Sequence, residues 1–415
     1  MPDRSVRGAL LIAVAILAAV VVLATAVAAL APFELFLGPL TVRWQTGATL
    51  VVAAESAPSP APAARPELPS PLARNVVLMI GDGFGVGQIS VASMALHGAD
   101  GGLAVEHAPV VGLVRTACAD QPVTDSAAAA TAMATGFKTN YHAVSVLPDG
   151  RRPVTLFEAA VAQGFAVGAV TTTGIADATP AGFATHAPSR YDYADILRQL
   201  LTSRFDVLIG GDFTLKSRPM GQADYRDTLQ RAETLAADGV TVVRHTEDLR
   251  DTPTPFIALL GPRTGSRTAY GPPLPDTTAL ALDRLVSAGG AGFVLLVESE
   301  LTDDTGHDND IDALVEAVRE LDAAVAVVLE FAARRDDTLV LITADHDTGG
   351  VGFTSYDAYG GPVRVGWSTL EHTSQWVPVF AFGPGAELFG GVLDNTDLAV
   401  RMAATLGIEG FPATR

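Results

Sequence analysis

Seven short apolar runs set the architecture of this chain. They read NVVLMI (75–80), AVGAVTT (166–172), DVLIG (206–210), FIALLG (256–261), GFVLLVE (292–298), TLVLIT (338–343) and VPVFAFG (377–383). Near-continuous apolarity implies strands buried on both faces, as in a parallel sheet, rather than half-exposed strands with alternating character. Helical patterns lie between them. The clearest spans 309–335, with Ile311, Leu314, Val315, Val318, Leu321 and Val325 on one face. Strand and helix in alternation predict an α/β fold: a three-layer sandwich whose central, mainly parallel sheet is covered by helices on both faces. Ligands of such folds gather at the carboxyl ends of the strands, so polar residues just after each run deserve the closest reading.

Hydrophobic residues make up 48% of the 415, enough for a large core, which excludes a wholly disordered chain. The net charge of −19 argues against binding a nucleic-acid backbone, which calls for a basic face. The single cysteine, Cys118, excludes an intrachain disulfide and a Cys-ligated zinc finger. Its neighbours Ala117 and Ala119 suggest a small core residue.

The N-terminal part reads differently. Residues 9–31 are uninterrupted by charge, and at ~1.5 Å per residue such a helix could cross a hydrocarbon layer of ~30 Å. Arg4 and Arg7 precede it and place the N-terminus in the cytoplasm. We expect residues 1–31 to be a signal anchor or signal peptide, retention being favoured because a signal peptide's apolar core is shorter. Either way the remainder is exported to a periplasmic or extracellular face, and the anchor is its membrane contact. Residues 32–73 form a Pro/Ala-rich linker, with six prolines between Pro58 and Pro71 and room for two short strands in 32–52. Residues 1–73 carry four arginines and four acids, so the whole negative balance belongs to the domain 74–415.

Within that domain, GDGFGVG (81–87) follows a strand and precedes a helix, but Val86 stands where a dinucleotide loop needs its third glycine. Another pattern is stronger. Asp82 follows the first run, Glu298, Asp303 and His307 follow the fifth, Asp345 and His346 follow the sixth, and His372 precedes the seventh. Carboxylates and imidazoles without thiolates suit zinc, with magnesium or manganese where the donors are all oxygen. Asp303 and His307 are one helical turn apart and would share a face. Asp345 and His346 can serve one metal only if the chain turns out of the sheet there. Residues 124–140 read TDSAAAATAMATGFKTN, and Ser126 begins an alanine-rich helix. Asp125 and Ser126 are both good N-cap types, and an exposed helix N-terminus also binds phosphate oxygens and stabilises an alkoxide. The two readings of Ser126 are balanced on this segment alone.

Together, the motifs VVLMIGDGFG (76–85), TDSAAAATAMATGFKT (124–139), DATPAGFATHAPSR (177–190), VESELTDDTGHDND (297–310), TADHDTGG (343–350) and EHTSQWVPVFAFGPGAE (371–387) resemble, in order and wording, the alkaline phosphatase family, most of all its compact bacterial branch. The resemblance implies a phosphoric monoester hydrolase acting on small-molecule phosphate monoesters through a phosphoserine on Ser126. It implies two zinc ions, one held by Asp303, His307 and His372 and the other by Asp82, Asp345 and His346. A magnesium would be held by Asp82, Thr179 and Glu298. Arg190 matches the arginine that binds two phosphate oxygens, and Asp177 an acid that orients water on the magnesium. Members are often dimers, so a homodimer is compatible with it.

This sequence departs from the family at several places. Ser299 and Glu300 follow Glu298 where glycine is common. Asp304 stands where members often carry Lys, His or Trp facing the phosphate, which predicts weaker phosphate inhibition and an altered pH optimum. Thr348 replaces a histidine found in some members. His97, His107, His142 and His245 read as surface or core residues, and His186 as a candidate to support the site. Lys138 reads as a cation near the site or a helix-end charge. Residues 212–275 are the expected lid or specificity region. The competing functions are a phosphodiesterase or phosphonate hydrolase of the same superfamily, which would lack Thr179, Glu298 and Arg190 in these roles, and a non-catalytic metal-binding domain.

Overall fold

The computed structural model describes residues 33–37, 40–44, 72–212, 222–264, 266, 269–355 and 363–414. The chain divides into two units, Met1–Glu67 and Leu68–Arg415. In the first, β1 (Phe33–Leu37) and β2 (Leu40–Trp44) pair antiparallel, the two short strands anticipated for 32–52. The apolar stretch 9–31 and most of the proline-rich segment lie outside the described residues. Among the described residues, no helix is long and apolar enough to cross a membrane.

The second unit is built on ten strands: β3 (Asn75–Gly81), β4 (Val110–Arg115), β5 (Ala166–Gly174), β6 (Val207–Gly211), β7 (Thr241–Val243), β8 (Phe256–Leu260), β9 (Phe293–Ser299), β10 (Thr338–Thr343), β15 (Val377–Phe382) and β16 (Gly391–Asp394). Four short strands, β11 (Asp347–Thr348), β12 (Gly352–Ser355), β13 (Arg364–Gly366) and β14 (His372–Thr373), form two separate ribbons. The large sheet runs β16-β4-β15-β10-β3-β9-β5-β6-β8-β7. Only β15 runs against its neighbours; every other pairing is parallel.

All seven apolar runs are strands of this sheet. Every residue of β3, β5, β9 and β10 is buried, as expected where helices cover both faces. The helices Val86–His97, Leu274–Ala288 and Ile311–Ala333 pack together on one face, and Ser126–Thr135, Ala178–Ala184 and Asn395–Leu406 on the other. Helix Ile311–Ala333 buries Leu314, Val318, Leu321 and Val325 as its periodicity predicts, whereas Ile311 and Val315 are half-buried at its edge. The sheet also contains β4, which the sequence does not announce. Its residues alternate buried and exposed, with Val111 and Leu113 outward, so it lacks the continuous apolar signature.

One close approach positions the site. Every residue of helix Ser126–Thr135 is buried, and its alanines let helix Ala178–Ala184 come against it. A Cβ on Gly182 would lie 2.8 Å from Ala130 Cβ, so only glycine permits this packing. The N-termini of these two helices carry Ser126 and Thr179.

Candidate active site

Two aspartates begin the site, each acting as a helix cap and as an anchor. Asp125 caps helix Ser126–Thr135 by accepting from the Ala128 amide at 3.2 Å, and it also accepts from the His142 amide at 3.0 Å. Asp177 caps helix Ala178–Ala184 by accepting from the Ala178 amide at 2.8 Å. Between them sits Arg190, whose Nη1 donates to Asp125 Oδ2 and whose Nη2 donates to Asp177 Oδ1, each at 3.0 Å. Burial works against the Arg190 charge, but Asp125 and Asp177 outweigh it and hold its pKa well above the ordinary value. Burial likewise opposes ionisation of Asp125, and Arg190 with the His142 amide overcomes this and lowers its pKa. A bidentate guanidinium is therefore held rigidly beside Ser126, with Nη1 3.4 Å from Ser126 Oγ.

On the other side of Ser126 Oγ, also at 3.4 Å, is His346 Nε2. His346 Nε2 lies 3.2 Å from Asp345 Oδ2 and 3.5 Å from Asp82 Oδ1. The chain does turn out of the sheet here. Strand β10 ends at Thr343, and Asp345 Oδ1 accepts from the amides of Gly83 and His346. Gly83 has φ +69°, and a Cβ there would meet Thr348 Oγ1 at 2.7 Å, so the Asp82 turn needs glycine at this point.

Asp303 and His307 share one face of helix Leu301–His307, with Asp303 Oδ2 3.3 Å from His307 Nε2. His372 arrives on β14, which pairs with β11 and sets His372 opposite Thr348. Its Nε2 lies 3.5 Å from Asp303 Oδ1 and 3.2 Å from His307 Nε2. Both histidines turn Nδ1 to a backbone carbonyl, His307 to Leu370 and His372 to Thr124, which leaves Nε2 for the cluster. Thr348 donates to Asp303 Oδ1 at 2.5 Å and lies 3.2 Å from His346 Nδ1, so it orients both Asp303 and His346. The structure thus gives this threonine an orienting place of its own.

Glu298, the last residue but one of β9, lies opposite Ile80 and Thr171, and its Oε2 accepts from Thr171 Oγ1 at 2.6 Å. Glu298 Oε1, both oxygens of Asp82 and Thr179 Oγ1 are buried without a hydrogen-bond partner. Orphaned buried acceptors of this kind are costly unless a cation satisfies them. Burial, with repulsion from Asp345 and Asp303, pushes the Asp82 carboxyl well above the usual range. Burial pushes Glu298 up to about 8 and, with Asp303, Asp345 up to about 6. His346 falls well below its ordinary value through burial and the nearby His372. For His372, burial is outweighed by Asp303, and its pKa rises.

The donor set fits divalent metals. Two nitrogens each ~2.0–2.1 Å from a tetrahedral zinc stand about 3.3 Å apart, close to the 3.2 Å between His307 Nε2 and His372 Nε2. Clusters suited to metal form from Asp82, Asp345 and His346, and from Asp303, His346 and His372. A third joins Asp82 and Glu298 to Glu300, and a fourth joins Glu300, Asp303 and Asp304. Glu300 was expected only as a departure from the family; the structure buries it against these carboxylates.

The site opens into a cleft of 620 Å³. Sequence reasoning missed part of its wall. Tyr141, His142, Tyr191 and Tyr193 line it, with successive ring centroids 4.2, 4.9 and 6.4 Å apart. His142, read as a bland histidine, is thus part of the cleft. Tyr193 in turn meets Tyr225 at 6.3 Å, so the described part of 212–275 braces this wall. The fold also places three further residues. His186 turns to Ser145 O and Glu158 and does not line the cleft. Lys138 pairs with Asp394 at 2.9 Å, away from the cleft. Cys118 is half-buried rather than core, its thiol donating to Asp120 Oδ1 at 3.3 Å. No periodicity marks single polar or aromatic residues in loops, which is why these assignments needed the folded chain.

The comparisons with known proteins agree with this geometry. The family model for alkaline phosphatase matches residues 73–362 and 354–408. The chain is similar to a streptomycin-6-phosphate phosphatase of Streptomyces griseus, 33% identical over 88% of this chain and 98% of that protein. It is also similar to alkaline phosphatase of Escherichia coli K12, 30% identical over 84% and 89% respectively. Among solved structures, the alkaline phosphatase of the Antarctic bacterium TAB5 superposes with a TM-score of 0.68 at 26% identity, covering 81% of this chain and 99% of that one. With the family model spanning the sheet, both helix N-termini and every carboxylate and histidine of the cluster, the chain belongs to the alkaline phosphatase family, a family of phosphoric monoester hydrolases.

Proposed function

We propose that the protein hydrolyses phosphate monoesters by way of a phosphoserine on Ser126. What carries this is the juxtaposition of Ser126 Oγ with Arg190 Nη1 and His346 Nε2, each 3.4 Å away, at the mouth of a cluster of buried carboxylates and imidazoles.

Arg190 binds two non-bridging oxygens of the phosphoryl group through its fork, and Asp125 and Asp177 keep the fork aimed. The N-terminus of helix Ser126–Thr135 places positive dipole and free amides beside the same oxygens. Ser126 Oγ forms the O–P bond as the bond from phosphorus to the leaving alcohol breaks. Water then cleaves the phosphoserine, releasing phosphate and restoring the hydroxyl. Asp303, His307 and His372 would hold one zinc, Asp82, Asp345 and His346 a second, and Asp82, Thr179 and Glu298 a magnesium. When bound, these ions supply Lewis acidity for an in-line displacement, favouring loss of protons from serine and water and stabilising charge on the leaving oxygen. Asp177 would orient water beside the magnesium.

The test compares kcat/KM of metal-loaded protein on p-nitrophenyl phosphate and bis-p-nitrophenyl phosphate, with Ser126→Ala alongside and acid-quenched samples analysed for phosphoserine by mass spectrometry. Monoester preference, loss of activity in the variant and phosphate on Ser126 are expected. Diester preference, or an unaffected Ser126→Ala, would overturn the proposal.

We also propose that residues 9–31 anchor an exported enzyme, supported by their unbroken apolar length and the preceding Arg4 and Arg7. Protease accessibility of the 74–415 domain in intact cells and its release from membranes only by detergent would bear this out. Sedimentation of the exported domain decides whether it is a homodimer.

A further inference from the structure

The cleft has a polarity that the phosphate site alone does not require. Its lining carries seven carboxylates, and Arg190 is its one arginine or lysine among the described residues. Arg190 is already held between Asp125 and Asp177. With metals on the floor, the carboxylates of Asp82, Glu298, Asp303 and Asp345 would be neutralised, whereas Asp304, Asp308 and Glu371 stand outside the proposed metal sets. Asp304 is half-buried, and Asp308 and Glu371 are exposed. The same cleft is lined by the aromatic wall of Tyr141, Tyr191 and Tyr193, all half-buried. Burial holds the Tyr141 phenol above its usual pKa, with Asp125, Tyr191 and Glu371 adding to the rise against Arg190, so Tyr141 and Glu371 lie within electrostatic reach of each other.

We propose that this cleft selects phosphate monoesters whose alcohol carries a positive charge, an ammonium or guanidinium group seated between the tyrosine wall and Asp304, Asp308 and Glu371. The inference rests on the monoesterase function proposed above. Ser126 and Arg190 line the same cleft as these residues, so the alcohol of a phosphate ester bound there would extend into the space they enclose. A cation there gains from tyrosine faces and from carboxylates together. A leaving group with a carboxylate or second phosphate meets repulsion instead. The same field acts on approach, because a dianionic ester is repelled by a chain of net charge −19, whereas one bearing its own cation approaches with its dipole aligned to a positive floor and negative rim.

The experiment uses the metal-loaded protein and two esters of one shape, phosphocholine and 3,3-dimethylbutyl phosphate, in which carbon replaces the charged nitrogen. The readout is the ratio of their kcat/KM values, which general changes in activity leave untouched. A ratio of about ten or more is expected, falling toward one in the double variant Asp308→Asn/Glu371→Gln. It should also fall as salt rises from roughly 0.05 to 0.5 M, where screening shortens the reach of these charges. If the double variant does not fold, the salt series on the wild type remains decisive. Saturation-transfer NMR gives a readout apart from turnover: choline methyl signals should report binding to the loaded protein, and those of 3,3-dimethylbutan-1-ol should not. A wild-type ratio near one, or a ratio unchanged by salt and by the variant, would overturn the inference while leaving the monoesterase intact. Failure to cleave either ester, with no phosphoserine formed, would overturn the monoesterase and this inference with it.

Discussion

Removing the metals should make the fold depend on pH in a direction that few proteins show. In the metal-free protein Glu298 is lifted from 4.5 to about 8 and Asp345 from 3.8 to about 6, mainly by burial. Between the unfolded and folded pKa values the folded state keeps protons that the unfolded chain has released. Stability is therefore fully present below pH ~4 and is lost as pH rises through 6 and then 8. At about 1.4 kcal/mol per unit, the Glu298 displacement is worth roughly 5 kcal/mol and that of Asp345 roughly 3 kcal/mol. The two groups interact and do not simply add, yet either figure is a large part of a typical stability of ~5–15 kcal/mol. For a domain this large, ~5 kcal/mol corresponds to a fall in Tm on the order of 10 °C. The assay is scanning calorimetry of chelated protein from pH 5 to 9, with zinc and magnesium restored in parallel samples. The chelated Tm should fall toward alkaline pH, and the increment on adding metals should grow, because metals and protons compete for the same oxygens. Glu298→Gln should flatten the chelated profile above pH 6. A chelated Tm that is level or rises between pH 5 and 8 would refute the claim that these carboxylates are held away from water and crowded together.

Other expectations follow from single contacts. Gly182→Ala forces a methyl to 2.8 Å from Ala130 Cβ and should cost about 1–3 kcal/mol, seen as a lower urea midpoint with m unchanged. Arg190→Lys keeps the charge but loses the fork that reaches both Asp125 and Asp177, so KM for a monoester should rise roughly ten- to a hundredfold, measured by steady-state kinetics. Thr348→Val deletes the hydroxyl that bonds Asp303 and lies beside His346, and zinc affinity should drop about 10–100-fold in a competition with a chromophoric chelator. Asp304→Lys should tighten inhibition by inorganic phosphate about tenfold, a gain of ~1.4 kcal/mol; unchanged inhibition would show that this carboxylate does not face the phosphate.

Much of the protein is written locally. Continuous apolar runs such as Val76–Ile80 and Thr338–Thr343 can satisfy themselves only inside a covered sheet, so seven strands and the sandwich follow from hydrophobicity alone. The carboxylates and histidines after those strands were equally legible, because the ends of parallel strands converge and the residue types announce a metal. What alternates or stands alone was not. Strand β4 hides because half its side chains face outward, and β7 because it has three residues. Asp125 reads as a helix cap, which it is, but its second oxygen fixes Arg190, a residue 65 positions away. Thr348 and His372 meet only because β11 pairs with β14.

The sequence by itself determined the layers of this molecule and the chemical types gathered at one end of its sheet, since burial and period are properties of consecutive residues. Only the tertiary structure decided which of those groups point at one another. Hydrogen-bond and Coulomb energies depend on separations of a few ångströms between atoms distant in the chain. That is why the guanidinium between two helix caps, the two imidazoles 3.2 Å apart and the tyrosines that line one cleft with acidic residues came into view with the fold.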